Sequence, residues 1–438
     1  MKRMLLAGSA ATVAVFTASC ALADVTAEEV WANWQEMMSA SGQTLRTTDV
    51  SRNGNRLVVS GLTLDQKSDH SSAALSIDEI DFSENGDGKV TVTFSDSIPI
   101  LIKTTPPPGL MDAKPSDLKI TLSQPGLALV ASGQADALTY VITAPKLTAT
   151  LEALNGIDSA LVDLTMNATL TNIAANYLVE GVGAAKKIAS SFTADSMALV
   201  ASSKNSDTQS AFDMTAQIEA ISGQSSGTLT DKADMAKALT AGFAVTSSFD
   251  YASAKFDVSA NTKGVGSHVS GATLAGGLAF AMDKMHLRYD LHNSGTALSF
   301  SGPDLPVPQV DVTYDELAFM IDMPTGKSDT PSDFAFLSKL VGFNVSEPVW
   351  AMVDPAGVLP HEGATVILDA KGKASLNTDL FDELQQGTSG EAAKGELNAL
   401  DLADHERLAP VHHGLSLVAS RLWAILGAQR RDSYQALC

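Results

Sequence analysis

Cysteine is nearly absent from this chain. Its 438 residues hold only Cys20 and Cys438. Cys20 lies in an export signal, so the mature chain would keep one thiol. That excludes an internal disulfide and a zinc cage built from thiolates. A chain of this length buries enough core to do without either. Aromatic residues make up only 6%, which argues against sugar-stacking platforms. Basic residues are scarce as well, 29 against 50 acidic ones. Removing Lys2 and Arg3 takes the formal charge from -21 to -23. Such a surface repels nucleic acid and anionic membrane. Beyond the export signal no apolar run reaches the roughly 20 residues of a membrane span.

The export signal itself is clear. Lys2 and Arg3 precede an apolar stretch from Met4 to Thr17, and Ala21-Leu22-Ala23 supplies an A-x-A cleavage site before Asp24. The expectation is a signal peptide over 1–23, cleaved after Ala23, and a periplasmic location. Lipidation of Cys20 is the rival reading, although Thr17 stands where a leucine-like residue is required. A compartment without ATP or NAD(P)H disfavours chemistry that depends on them.

What the chain has is alternation. With 45% apolar and 18% charged residues it is too apolar for disorder. Asp24 to Ser41 reads as an amphipathic helix, with Val30, Trp31, Trp34, Met37 and Met38 at helical spacing and Thr26 with Glu29 as a capping box. The two tryptophans read as the helix's own core contacts rather than a docking site. After Gly42 the period becomes two. Leu57, Val59, Leu62 and Leu64 lead to Leu75, Ile77, Ile80 and Phe82, with a slip between the pairs. Glu84 to Gly88 is a hairpin turn ahead of Val90, Val92 and Phe94. Val162 to Leu170 and Phe212 to Ile218 alternate against polar neighbours. One wet face and one dry face belong to antiparallel sheets, not to βαβ folds. The expected fold is mainly β, an elongated antiparallel sheet or sheets with a few short helices. Helices are expected over Asp231–Ala241, Pro331–Val341 and Pro348–Val353, the last capped by Ser346. The expected organisation is an N-terminal β-rich region over 24–230, a C-terminal β-rich region over 231–400 and a tail over 401–438. No internal repeat stands out.

The tail departs from the rest. It holds four of the nine arginines, none of the twenty lysines and three of the eight histidines. Alternation stops near Leu402. Leu415 to Leu426 could form a membrane-surface helix. A shifted reading frame explains the composition better, and the tail is expected to pack poorly.

No motif carries chemistry. Asp81 to Gly86 begins like an EF-hand, but Val92 stands where a bidentate glutamate is needed. Gly181-Val182-Gly183 and Gly264-Val265-Gly266 lack the dinucleotide context. The histidines show no metal spacing. His286 and His292 fall on one strand face, and His405 and His412 lie seven apart. Asp78/Glu79 and Asp382/Glu383 are adjacent, hence splayed. No nucleophile elbow is present. No catalytic, cofactor-binding or metal-binding residue is therefore assigned, and no cofactor is expected.

Pro348-Val349-Trp350-Ala351-Met352-Val353-Asp354-Pro355, Val358-Leu359-Pro360, Ala364 to Leu368 and Leu380-Phe381-Asp382, taken with Val30-Trp31, Trp34 and Ala241-Gly242-Phe243, resemble one family. It is an uncharacterised family of exported bacterial proteins, the domain of unknown function number 2125, found mainly in alphaproteobacteria. The resemblance covers Asp24 to about Leu400. It implies an envelope location and a β-rich body, and it carries over no site residue. Family members continue with β-rich sequence where this chain has its tail. The expected function is a non-enzymatic periplasmic envelope protein, a scaffold or binding module acting through sheet surfaces toward an envelope protein or an apolar ligand. Two alternatives stand beside it. One is a carrier of lipid or another apolar ligand in an open β groove. The other is a hydrolase with an unrecognised site.

Overall fold

The computed structural model describes residues 24–40, 43–67, 71–104, 116–155, 163–181, 185–230, 235–381 and 393–404. The chain opens with helix α1 (Ala27–Ala40). Then come β1 (Thr44–Arg46), β2 (Asp49–Asn53), β3 (Arg56–Lys67), β4 (Ser71–Glu84), β5 (Val90–Phe94), β6 (Ser97–Thr104), β7 (Ser116–Ser123) and β8 (Ala128–Gln134). Four long strands follow: β9 (Ala137–Asn155), β10 (Thr165–Glu180), β11 (Ala185–Asn205) and β12 (Ser210–Thr230). Helix α2 (Met235–Thr240) precedes β13 (Ala244–Tyr251), β14 (Ser253–Thr262), β15 (Val265–Thr273), β16 (Ala275–Met282), β17 (His286–Ser301), β18 (Val310–Pro324) and β19 (Ser332–Val345). Helix α3 (Glu347–Val353) leads to β20 (Ala364–Leu376) and β21 (Ala393–Asp404). The fold is mainly β, in one large antiparallel sheet, as the alternation requires.

Each pass of the chain across the sheet pairs with the passes before and after it. Where two short strands share a partner, they are the two halves of one broken pass. β1 and β2 both lie on β3, for example, and β13 and β14 both lie on β12. Counted this way, the 21 strands make 16 passes of an up-and-down meander. Among the described residues no pairing joins β1 or β2 to β21. The ladder runs through Thr230 into β13 and β14, and β21 pairs with β20 through Asp404. Of the tail expected over 401–438, residues 401–404 pair with β20 as the end of β21, and 405–438 lie outside the described residues, as does the export signal.

A seam crosses the meander at one height. In β3 and β4 the pairing passes from Ser60↔Glu79 to Leu62↔Ile77 and skips Gly61 opposite Asp78. It skips Asn172 opposite Asp195 between β10 and β11, Asp195 opposite Ala220 between β11 and β12, and Gly295 opposite Asp315 between β17 and β18. Gly61, Asn172, Ala220, Gly295 and Gly342 all have positive φ there. Such left-handed residues bend a strand and locally raise its twist. The register is the same on both sides because both partners carry the extra residue together. The side-chain parity shifts by one. Leu57 and Val59, on one side, nevertheless join a single core with Leu62 and Leu64 on the other. The seam thus keeps the dry face on one side of the sheet, and the sequence slip between Ile77 and Ile80 marks it.

Helix α1 lies on that face. Its capping box is formed: the Thr26 N–H donates to Glu29 Oε2 at 2.9 Å, and the Glu29 N–H donates to Thr26 Oγ1 at 3.3 Å. Glu84 accepts the Ala27 N–H at 3.0 Å, and the Arg52 guanidinium holds its carboxyl below the usual carboxylate range. Replacing Glu29 with alanine is expected to cost about 1 kcal/mol, read by urea unfolding with tryptophan fluorescence. An unchanged midpoint would mean that Glu84 holds this helix end alone. Trp31 and Trp34 both meet Phe82, as core contacts of the helix.

One expected helix is a strand. Of the stretch Pro331–Val341, all but Pro331 falls in β19, which pairs with β18 and β20. Phe334, Phe336 and Leu340 alternate there, and pairing on both sides overrides the helical spacing of Phe334, Leu337 and Val341. Helix α3 forms as expected, but its preceding Ser346 makes no side-chain cap. The Ser346 hydroxyl instead accepts the Asp311 N–H at 3.1 Å. Helix α2 begins at Met235, and 231–234 lie outside the described residues.

Candidate functional site

The dry face outruns its cover. Among the described residues the largest side chains that are almost wholly buried are Val30, Val59, Leu62, Ile80, Phe82, Val90, Val92 and Leu138, all in α1 or the strands from β3 to β9, with Thr325 beyond them; Val179, Ile221 and Leu239 past β9 are buried slightly less deeply. The face itself continues. One row runs from Ile142 and Ala175 through Phe192, Gly223, Phe249, Leu278 and Leu291 to Phe319. Phe192 keeps 37% of its surface exposed and Leu278 keeps 36%. Among the described helices, α1 is the one with extended packing on the sheet.

Aromatic rings dominate the uncovered part. Phe192 meets Phe249 with centroids 6.4 Å apart, and Phe249 meets Tyr251 at 6.2 Å. Tyr289, Phe319 and Phe336 form a second series at 6.1 and 5.5 Å. Glycines let these rings lie flat against the sheet: a Cβ on Gly223 would strike the Phe192 ring, and one on Gly276 would strike the Tyr251 phenol. Ser190, Ser225, Ser247 and Phe280 form the next row of this face, and a shallow concavity of about 400 Å³ lies behind that row on the other face, beside Arg288. The named rows carry no charged side chain between β11 and β19.

Polar groups enter this face at the seam. Asn293 Nδ2 donates to the Tyr314 hydroxyl at 3.2 Å. Thr273 Oγ1 donates to the Ser294 carbonyl at 2.8 Å and also engages the Tyr251 phenol. Burial pushes the Tyr251 phenol above its ordinary pKa, against the opposing pull of Thr273. These bonds cross the seam, which places Tyr251, Thr273, Asn293 and Tyr314 on one side of the sheet.

The wet face is electrostatically ordinary. His286 pairs with Asp322, which also takes Arg288 at 3.0 Å, and Arg288 reaches Asp290 at 2.9 Å. His286 and His292 do share a face, but six residues set them about 20 Å apart. His292 sits opposite Gly277 and Ala318 instead. His286, Asp322, Asp333 and Lys371 line a concavity of about 560 Å³ there. Gly264 belongs to the turn between β14 and β15, where its N–H donates to Asn261 Oδ1 at 3.0 Å. Asp81 pairs with Arg56 and accepts from the Ser83 hydroxyl at 2.9 Å, in a hairpin strand and not a calcium loop. Asp78 lies at the seam. His70, Gly183, Asp382, Glu383, His405 and His412 lie outside the described residues.

In the segment that carries the family resemblance, Trp350 stacks on His361 at 4.6 Å and donates from Nε1 to Asn344 at 3.1 Å. Glu347 accepts from His361 Nδ1 at 3.0 Å. This locks α3 to the loop before β20 and brings no nucleophile with it. Among the described residues no three His, Cys, Asp or Glu side chains are grouped to hold a metal ion. None of the described helices is long and apolar enough to cross a membrane. Comparison of the chain with protein-family models, with curated proteins and with solved structures found no match.

Proposed function

We propose that this protein is a non-enzymatic binding module of the bacterial envelope that holds an apolar chain on the dry face of its sheet. One observation carries the reading: among the described residues α1 seals the dry face up to β10, and the apolar face continues from β11 to β19 with side chains such as Phe192 and Leu278 left part-exposed. A soluble protein leaves so long an apolar patch open where something docks. Rows of half-buried aromatics interrupted by glycine and serine suit a flexible hydrocarbon chain, which adapts to a shallow surface. The export signal and the family resemblance support placing that function in the periplasm. The acidic surface suits a soluble carrier more than a protein docked on anionic lipid.

A scaffold role through sheet edges is the second reading. Among the described residues β1 and β2 pair on one side only, and all five residues of β2 are exposed. Such an edge can accept a partner's strand. Native mass spectrometry after mild extraction from the envelope separates the two. The carrier reading expects a co-purified mass of acyl-chain size that is lost in organic solvent. A protein that is consistently ligand-free would leave the edge-pairing role in its place.

A further inference from the structure

We propose that α1 is a latched strap: its C-terminal end, held to β11 by the Glu36–Lys186 ion pair, lifts and joins the sealed part of the dry face to the part-exposed rows beyond it. This rests on the binding reading above and names the step by which an apolar chain gains the rest of that face.

Side-chain contacts mark the course of the helix. Trp31 and Trp34 meet Phe82 on β4, the Tyr140 hydroxyl of β9 donates to Asn33 Oδ1 at 2.8 Å, and Lys186 Nζ of β11 donates to Glu36 Oε2 at 2.7 Å. Helix α1 therefore crosses the dry face from β4 and ends at β11, where the part-exposed rows begin. Alternation puts Lys186 on the same face as Ile188, Ser190 and Phe192. The two ends are held unequally. At the N-terminal end Val25, Ala27, Val30 and Trp31 are buried, and Arg52 joins both Glu28 and Glu84 at 2.6 Å. Beyond Asn33 no described side chain of the helix is buried: Trp34, Met37 and Met38 are half-buried, and Gln35, Glu36 and Ser39 are exposed.

The latch is a charge in a dry place. The Lys186 side chain is 9% exposed, against 48% for Glu36. A buried ion pair adds little net stability, because parting its two groups restores their hydration. An apolar residue at position 186 would seal the helix end more firmly. The N-terminal end is fastened instead by buried apolar area, and exposing that to water recovers nothing. The Asn33–Tyr140 hydrogen bond pins the middle of the helix, so an opening that starts at Glu36 stops there. Local opening of Gln35–Ala40 with the first turns in place follows from that difference. Met37, which rests on the sealed core, lifts with this segment and frees the surface beneath it.

The test is hydrogen exchange read by mass spectrometry on the full mature chain, without and with 1-monooleoylglycerol. Glu36→Gln leaves the buried ammonium without its counter-charge. It should speed exchange of the Gln35–Ala40 amides by roughly tenfold, the scale of one lost charge-assisted hydrogen bond. Lys186→Met should slow that exchange, because an apolar side chain then meets the helix end. Exchange of Val30–Asn33 should stay unchanged in both variants. Glu36 is exposed, so Glu36→Gln keeps the test open if Lys186→Met lowers the yield of folded protein. In wild type 1-monooleoylglycerol should speed exchange of Gln35–Ala40, and in Lys186→Met it should do so less. Equal exchange of Gln35–Ala40 in wild type and Glu36→Gln would show a fixed structural contact and overturn the strap. So would faster exchange along the whole helix in either variant. Variant effects as expected with no response to the lipid would leave the strap standing and overturn the apolar-chain reading.

Discussion

Replacing Phe82 with alanine should lower the unfolding free energy by about 3–5 kcal/mol. Phe82 is 0% exposed. Its ring meets Trp31 at 5.9 Å in a tilted contact and Trp34 at 5.3 Å edge-on. Both tryptophans come from the same helix, so one cavity would loosen every aromatic contact between α1 and β4. The pair geometry adds to the area term, since edge-to-face rings contribute about 0.5–1.5 kcal/mol beyond burial. Urea unfolding followed by tryptophan fluorescence reads the loss, with the emission of Trp31 and Trp34 moving to longer wavelength as α1 lifts. The comparison variant is Phe336→Ala. Phe336 also packs against a ring, Phe319 at 5.5 Å, but on the uncovered part of the face. Its removal takes away less buried area and opens no enclosed cavity, so a cost of about 1 kcal/mol is expected. Similar costs at the two sites would mean that the far face is sealed as tightly as the near one. The binding reading would then lose its ground.

That contrast also explains which parts of the fold were legible in the sequence. Alternation predicts each strand from its own residues, because a half-wet sheet needs one side chain in two to be apolar. Thr26 and Glu29 predict the start of α1 because capping is local. Residues 334–341 mislead because Phe334, Leu337 and Val341 also satisfy a helical period. Only pairing with Met320 and Ala370, far along the chain, decides for β19. The seam leaves a trace as the slip between Ile77 and Ile80. A single slip reads as a strand end, however, and its repetition at one height emerges only when strands are set side by side. The candidate site is less legible still. Tyr251, Thr273, Asn293, Thr296 and Tyr314 come from four strands and meet through the meander's register. The one local hint is a polar residue in a dry position, such as Thr296 before Leu298 and Phe300. Among so many threonines and serines that hint does not stand out.

The seam gives the second large effect. Gly295→Val should destabilise the protein by roughly 2–5 kcal/mol, combining left-handed backbone strain with overpacking. Gly295 has φ +59°, and a Cβ there would lie 2.5 Å from Leu274 Cδ1 and 2.6 Å from its Cγ. Leu274 is 68% exposed, so Leu274→Ala alone should cost under about 1 kcal/mol. Together the two should be less harmful than their sum, with a coupling of about 1–3 kcal/mol. The backbone strain would remain, because truncating Leu274 changes nothing about φ. Chemical denaturation of the four members of this cycle measures both parts. Strict additivity would show that Leu274 does not fill the space over Gly295, and that the seam is held by backbone geometry alone.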